Sequence, residues 1–119
     1  MLMRFRSKFE EQVAKSFDKQ GHTYLYEPSK ITYQLSCSYT PDFCLPNGIY
    51  LETKGFLKPS DRRKHIAIKD QHPDLDIRFV FMRDNKLSKN SKHTYVSWAE
   101  KHGFQACVWP NIPPDWFDD

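Results

Sequence analysis

Two short apolar runs separated by Pro46-Asn47-Gly48 constrain this chain more than any other stretch. Proline presets φ, and Asn-Gly accepts the positive φ of tight turns. Phe43-Cys44-Leu45 and Ile49-Tyr50-Leu51 are therefore expected as the two arms of a hairpin. The second arm ends in Glu52-Thr53-Lys54-Gly55. Charged groups are costly at the end of a buried strand. Residues two apart in a strand share a face, so Glu52 and Lys54 point the same way. The hairpin can bring Asp42 back beside them. Two carboxylates and a lysine gathered at a sheet edge suit a divalent cation and an activated water. The plain alternative is an edge-strand ion pair with Asp42 in a surface turn. The apolar run leading into the pair, the Pro41-Asp42 before the hairpin and the Gly55 after it favour a site.

The flanking segments supply a scaffold. Ser7 is a good N-cap and Glu10 follows at capping-box spacing; Phe9, Val13 and Phe17 recur every four residues, and Gly21 ends the helix. From the pattern alone Glu10 is a capping residue of its own helix. Thr23 to Tyr26 and Ile31 to Leu35 read as strands. The hydroxyl-rich link Ser36 to Thr40 can stay extended and can cross between subunits. Ser60 is the expected N-cap of a helix from about Asp61 to Gln71, which carries Arg62, Arg63, Lys64, His65 and Lys69 around Ile66, Ala67 and Ile68. A charge run of this kind is commonly a solvated face. Its place directly after the carboxylate stretch, with Lys54 and Lys58, favours phosphate contact instead.

Asp76 to Met82 is the strongest strand in the sequence, apolar enough for an interior position. With the preceding strand and helix it makes a β-α-β unit, so its partner is expected to be parallel. Asp84 to Lys92 reads as an exposed basic loop. Thr94 caps a helix through about His102, Gly103 stops it, and Phe104 to Val108 is a last short strand. The proline-rich end, Trp109 to Asp119, is expected to be irregular or to form a short helical turn.

A chain of 119 residues is expected to be one domain, residues 1–119, of mixed α/β class. Nine Phe, six Tyr and three Trp can supply its core. The mean hydropathy is −0.75, and no apolar run approaches the roughly 20 residues that span a bilayer. The first residues are too few and too charged for a signal peptide, so the cytoplasm of the producing cell is expected. Three cysteines without Cys-x-x-Cys spacing argue against a disulfide framework or structural zinc. None of the five histidines pairs at metal-ligand spacing; His65, near the start of the basic helix, can touch phosphate.

The order helix, strands, Pro-Asp hairpin, Glu-x-Lys, basic helix, strand resembles the PD-(D/E)xK nucleases. The match is closer to one family. Phe5-Arg6-Ser7-x-x-Glu10, Tyr39-Thr40-Pro41-Asp42-Phe43, Leu45-Pro46-Asn47-Gly48-Ile49, Glu52-Thr53-Lys54-Gly55, Asp61-Arg62-Arg63-Lys64-His65 and Gln71-His72-Pro73-Asp74-Leu75-Asp76-Ile77-Arg78 resemble phage endonuclease I, the four-way junction resolvases of T-odd-type phages. Glu100-Lys101-His102-Gly103 and Ile112-Pro113-Pro114-Asp115-Trp116 fit as well, so the resemblance runs from about Phe5 to Trp116.

The resemblance implies a PD-(D/E)xK core, αβββαβ-like, in an intertwined homodimer with exchanged segments and no membrane association. It implies catalytic roles for Glu10, Asp42, Glu52 and Lys54, with Glu10 contributed by the other chain. One or two Mg²⁺ or Mn²⁺ ions, with two per site expected, would be held by Asp42, Glu52, Glu10 and the Thr53 carbonyl. Lys58, Arg62, Arg63, Lys64, His65 and Lys69 would grip DNA. The activity implied is hydrolysis of four-way and branched DNA, leaving 5′-phosphate and 3′-hydroxyl ends, in the cytoplasm of an infected host cell. Alternatives are a nuclease of the superfamily acting on mismatched, nicked or duplex DNA, or a branched-DNA-binding module without catalysis. Two departures from the family stand out. Leu25 occupies the position of a further family acid, and Glu27 matches a second, nearby one. The chain ends in Asp118-Asp119 where the family has a long basic tail, so tail-assisted DNA binding is not expected.

Overall fold

The computed structural model describes residues 4–33 and 37–119. Helix α1 (Lys8–Gln20) begins as the sequence indicates: the Ser7 side chain accepts the Glu10 N–H at 3.1 Å, and Gly21 ends the helix at φ 75°. Its stripe of Phe9, Val13, Ala14 and Phe17 is buried.

Five strands form one mixed sheet in the order β1 (Leu25–Tyr26), β4 (Phe43–Cys44), β5 (Ile49–Lys54), β6 (Asp76–Phe81) and β7 (Gln105–Val108). The first three are antiparallel neighbours; β5, β6 and β7 run parallel. The expected parallel β-α-β unit is present, with Ile49 opposite Asp76 and Lys54 opposite Phe81. The turn between β4 and β5 is set by Gly48 at φ 91° and by Asn47, whose Oδ1 accepts the Ile49 N–H. The Asn47 Nδ2 also donates to the carbonyls of Trp116 and Asp118, pinning the C-terminal segment to the hairpin.

A separate antiparallel pair joins β2 (Ile31–Tyr33) to β3 (Cys37–Tyr39), with Ile31 opposite Tyr39. The link expected as plain extended chain thus contains a strand. The end of the second expected strand, Gln34 and Leu35, and the first residue of the link, Ser36, lie outside the described residues.

Helix α2 (Pro59–Gln71) starts two residues earlier than expected. Lys58, not Ser60, holds the cap position. Proline is preorganised for the first helical residue, and Asp61 Oδ2 accepts the Lys58 N–H at 3.1 Å, which fixes the earlier start. Helix α3 (Tyr95–Lys101) is capped by Thr94 as expected. Pro114–Phe117 form one 3₁₀ turn that buries Trp116.

The sheet separates two cores. On one face α1 packs against Phe43, Leu45, Ile49, Leu51, Val80, Cys107 and Trp116. On the other, Leu57, Ile68 of α2, and Tyr95, Trp98 and Ala99 of α3 cover Ile77, Phe79 and Phe81. The alternation along β6 is the two-residue period of a strand buried on both faces.

Candidate active site

Strand β5 carries Glu52, Thr53 and Lys54 to the edge of the sheet. The hairpin sets Asp42 beside them. Asp42 Oδ2 accepts both the Thr53 N–H (2.8 Å) and the Thr53 hydroxyl (3.0 Å), so backbone and side chain of one residue fix it. Glu52 and Lys54 share a face as predicted, with Nζ 3.5 Å from Glu52 Oε1. Lys54 Nζ is also 3.6 Å from Asp61 Oδ1, at the start of α2. The other Glu52 oxygen, Oε2, accepts the Tyr39 hydroxyl at 2.6 Å.

Glu10 joins this group from α1. Its Oε1 accepts the Arg6 N–H at 3.1 Å and the Tyr26 hydroxyl. The carboxylate therefore reaches one residue beyond the Ser7 amide that a capping box would use. Glu10, Asp42 and Glu52 are only 7%, 5% and 3% exposed, yet all three line a cavity of about 600 Å³ together with Thr53, Lys54 and Lys64. All four residues expected to be catalytic thus line one cavity. Within one chain Glu10 reaches this cavity.

The electrostatics are those of crowded, partly dry carboxylates. Asp42 is pushed up to about 8, by burial first and then by Glu52 and Glu10, against the pull of the Thr53 hydrogen bonds. Burial also raises Glu52, opposed by Lys54 and the Tyr39 hydroxyl. For Lys54, burial alone would favour the neutral amine, but Glu52, Asp61 and Asp42 outweigh it, and its pKa ends above the ordinary value. Lys54 is consequently a firm cation at neutral pH.

Among the described residues, no three Asp, Glu, His or Cys side chains form a ready-made metal cage. The donor set still fits a hard cation. It consists of oxygens, two of them on carboxylates whose raised pKa values mark the cost of holding negative charge there. Mg²⁺ commonly binds through one or two carboxylates, with waters and substrate phosphates as its other ligands.

The basic helix divides. Lys64 lines the cavity, its amine 5.4 Å over the Tyr39 ring. Lys58 and Arg63 are exposed, and Arg62 donates to the Leu57 carbonyl at 3.3 Å. Two residues expected to contact DNA are placed elsewhere. His65 is fully buried, edge-on to Tyr39 and Phe79 at 5.1 and 4.9 Å. Neither ring nitrogen has a hydrogen-bond partner, and Nε2 lies 3.9 Å from Glu52 Oε1. Burial, then Lys64 and Lys54, push its pKa down to about 3, so the ring is neutral. Lys69, about 16 Å further along α2 than Lys58, donates to the Gly103 carbonyl at 3.1 Å and covers Phe104.

Leu25 is 62% exposed and does not line the cavity; Glu27 does, at left-handed φ 46°, with Oε1 3.3 Å from the Arg6 guanidinium. Glu27 is thus an acid committed to an arginine. Sequence reasoning did not single out Tyr26, Tyr39 or Arg6. An aromatic in a strand reads as core, and no spacing marks its hydroxyl as a carboxylate donor.

Comparison with known proteins agrees with the sequence resemblance. Endonuclease I of Escherichia phage T7 is 44% identical over 119 residues, covering 97% of this chain and 79% of that protein. Endodeoxyribonuclease 1 of Enterobacteria phage T3 is 48% identical over 103 residues, covering 83% of this chain and 68% of the relative. A family model for phage endonuclease I matches residues 1–119, and the chain belongs to that family.

Proposed function

We infer that this protein is a metal-dependent DNA endonuclease that resolves four-way and branched junctions, leaving 5′-phosphate and 3′-hydroxyl ends. One observation carries the reading: Asp42, Glu52 and Lys54 meet at the end of one buried strand and line an open cavity with Glu10. The names of the two relatives, an endonuclease and an endodeoxyribonuclease, support DNA as the substrate class. The meeting of Asp42, Glu52 and Lys54 on the mixed sheet supports a PD-(D/E)xK core.

Asp42 and Glu52 would hold one or two Mg²⁺ or Mn²⁺ ions, with Glu10 and the Thr53 carbonyl as further ligands. When bound, such ions supply an acidified water and neutralise charge on the phosphate. The chain's own groups do the rest. Thr53 locks Asp42, and Tyr39 locks Glu52, so neither carboxylate must reorganise as substrate arrives. Lys54, kept protonated by its three acidic neighbours, acts as a charge facing the scissile phosphate and not as a general base. Lys64 and the exposed Lys58 and Arg63 bind flanking phosphates. Such contacts read shape, not sequence, which suits a branch point.

The working form is a symmetric homodimer, whose two sites account for paired nicks across a junction. In the exchanged form the contacts described within one chain are made between α1–β1 of one copy and β4–β5 of the other. The site of action is the cytoplasm of an infected host cell. Among the described residues no helix is long and apolar enough to cross a membrane.

The test is cleavage of a synthetic four-way junction in Mg²⁺ by Glu52→Gln and Lys54→Ala proteins, beside linear and mismatched duplexes. Each variant should lose about 10²–10³-fold or more in rate while still binding the junction. Full activity in either variant would show the site assignment to be wrong. Equal cleavage of all substrates by the wild type would exclude junction selectivity.

A further inference from the structure

The segment between β6 and α3 carries Arg83, Lys86, Lys89 and Lys92, and all four are exposed. Among the described residues, none of them has a carboxylate within ion-pair distance; the pairs formed involve Arg6, Lys15, Lys54, His65 and Arg78. The one acid of the segment, Asp84, accepts the Val96 N–H at 3.0 Å and so serves the start of α3.

This loop is built, not slack. The Leu87 N–H donates to the His93 carbonyl, the Ser91 N–H to the Ser88 carbonyl and the Tyr95 N–H to the Asn85 carbonyl, all within 3.1 Å. Lys86 and Thr94 form an antiparallel bridge, and Leu87 packs against the core beneath α3. Four like charges held on one fixed scaffold repel one another. An arrangement of that kind costs stability unless an anion neutralises it.

Its position matches the site. Parallel pairing sets Phe81 opposite Lys54, and the Met82 N–H donates to the Lys54 carbonyl at 3.0 Å. The loop therefore leaves the sheet at the same edge, one strand over from Lys54. Of the cations lining the cavity, Lys54 is engaged with Glu52 and Asp61, Lys64 lies over Tyr39 and Arg6 pairs with Glu27. Uncommitted charge lies on the loop as well as on Lys30 at the cavity and the exposed Lys58 and Arg63.

We propose that Arg83, Lys86, Lys89 and Lys92 form a second phosphate-contacting surface that holds a duplex arm beside the cleavage cavity. It rests on the nuclease reading for the substrate, and it adds where the uncut DNA lies. Each phosphate neutralised on B-DNA adds about 0.9 to the slope of log affinity against log salt, so four contacts would add about 3.6.

The experiment compares the wild type with a variant carrying R83Q, K86Q, K89Q and K92Q, and with one carrying K86R, K89R and K92R. Binding of a synthetic four-way junction is titrated across salt without metal, and single-turnover cleavage is measured at low salt with saturating enzyme. The glutamine variant should lose roughly 2–4 units of salt slope yet cleave bound junction at the wild-type rate, because none of the four residues lines the cavity. The arginine variant should keep the wild-type slope. A folded glutamine variant with unchanged slope and affinity would overturn the proposal, as would an arginine variant that loses the slope, since charge would then not be the cause. A wild type that binds duplex arms with the expected slope but cuts nothing would sink the nuclease reading and leave this one standing.

Discussion

Tyr39 shows how much a single hydroxyl contributes here. It is buried, it donates to Glu52, and burial and the neighbouring carboxylate hold it well above the usual range for a phenol. Tyr39→Phe keeps the packing and removes the donor, leaving a buried carboxylate oxygen without its partner. The expected cost is about 1–3 kcal/mol of stability, read by urea titration, with a lower kcat and little change in junction affinity. His65 makes the opposite case. Its two unpartnered nitrogens stabilise nothing, so His65→Leu should be neutral or stabilising near pH 7. The folded pKa of about 3 lies below the ordinary 6.5. The stability tied to the neutral ring is thus present above pH 6.5 and is lost as pH falls towards 3. The leucine variant should be less acid-sensitive across that window, measured by thermal melts. The convergence of Asp42, Glu52 and Lys54 was legible from the hairpin turn, the apolar run and the two-residue strand period together. His65 was not: its place among the cations at the start of the basic helix pointed to phosphate contact. The helix instead buries His65 and Ile68, one turn apart, and leaves Ile66 39% exposed.

At the level of elements, the start of α2 binds structure to chemistry. Asp61 accepts the Lys58 N–H and also faces Lys54. Asp61→Ala removes both and should cost about 1 kcal/mol. Asp61→Asn retains an acceptor for the amide but not the charge, so stability should largely return. In both variants the pKa of Lys54 should fall, and the alkaline limb of the cleavage profile should move to lower pH. The parallel unit of β5, α2 and β6 was readable because period and polarity change sharply at each boundary. Strand β1 is shorter than its sequence indicates because its ladder partner, β4, offers only Phe43 and Cys44. Strand β3 was unreadable as a strand: Cys37-Ser38-Tyr39 is too short to set a period, and its pairing with β2 is a tertiary fact.

For the whole molecule, the central question is which copy of α1 completes the cavity. One chain brings Glu10 and Asp42 to the same cavity by itself. Exchange between copies would preserve each contact, which is the general logic of domain swapping. Mixing Glu10→Ala with Asp42→Ala protein under conditions of subunit exchange distinguishes the forms. In an exchanged heterodimer one site carries both lesions and the other neither, so single-strand nicking should return to roughly half the wild-type sites. If each chain closes on itself, every site keeps one lesion, and exchange restores nothing.

The neighbours of β5 have a consequence in time as well as in space. The side chains lining the cavity lie between Arg6 and Lys64, in the first part of the chain to be made. The strand that bears Glu52 and Lys54, however, is flanked on its far side by β6, which ends at Phe81. A nascent chain therefore carries its whole set of reactive groups before it can hold them in place. Pairing of β6 with β5, which buries Phe79 and Phe81, is thus expected to precede any ordered site.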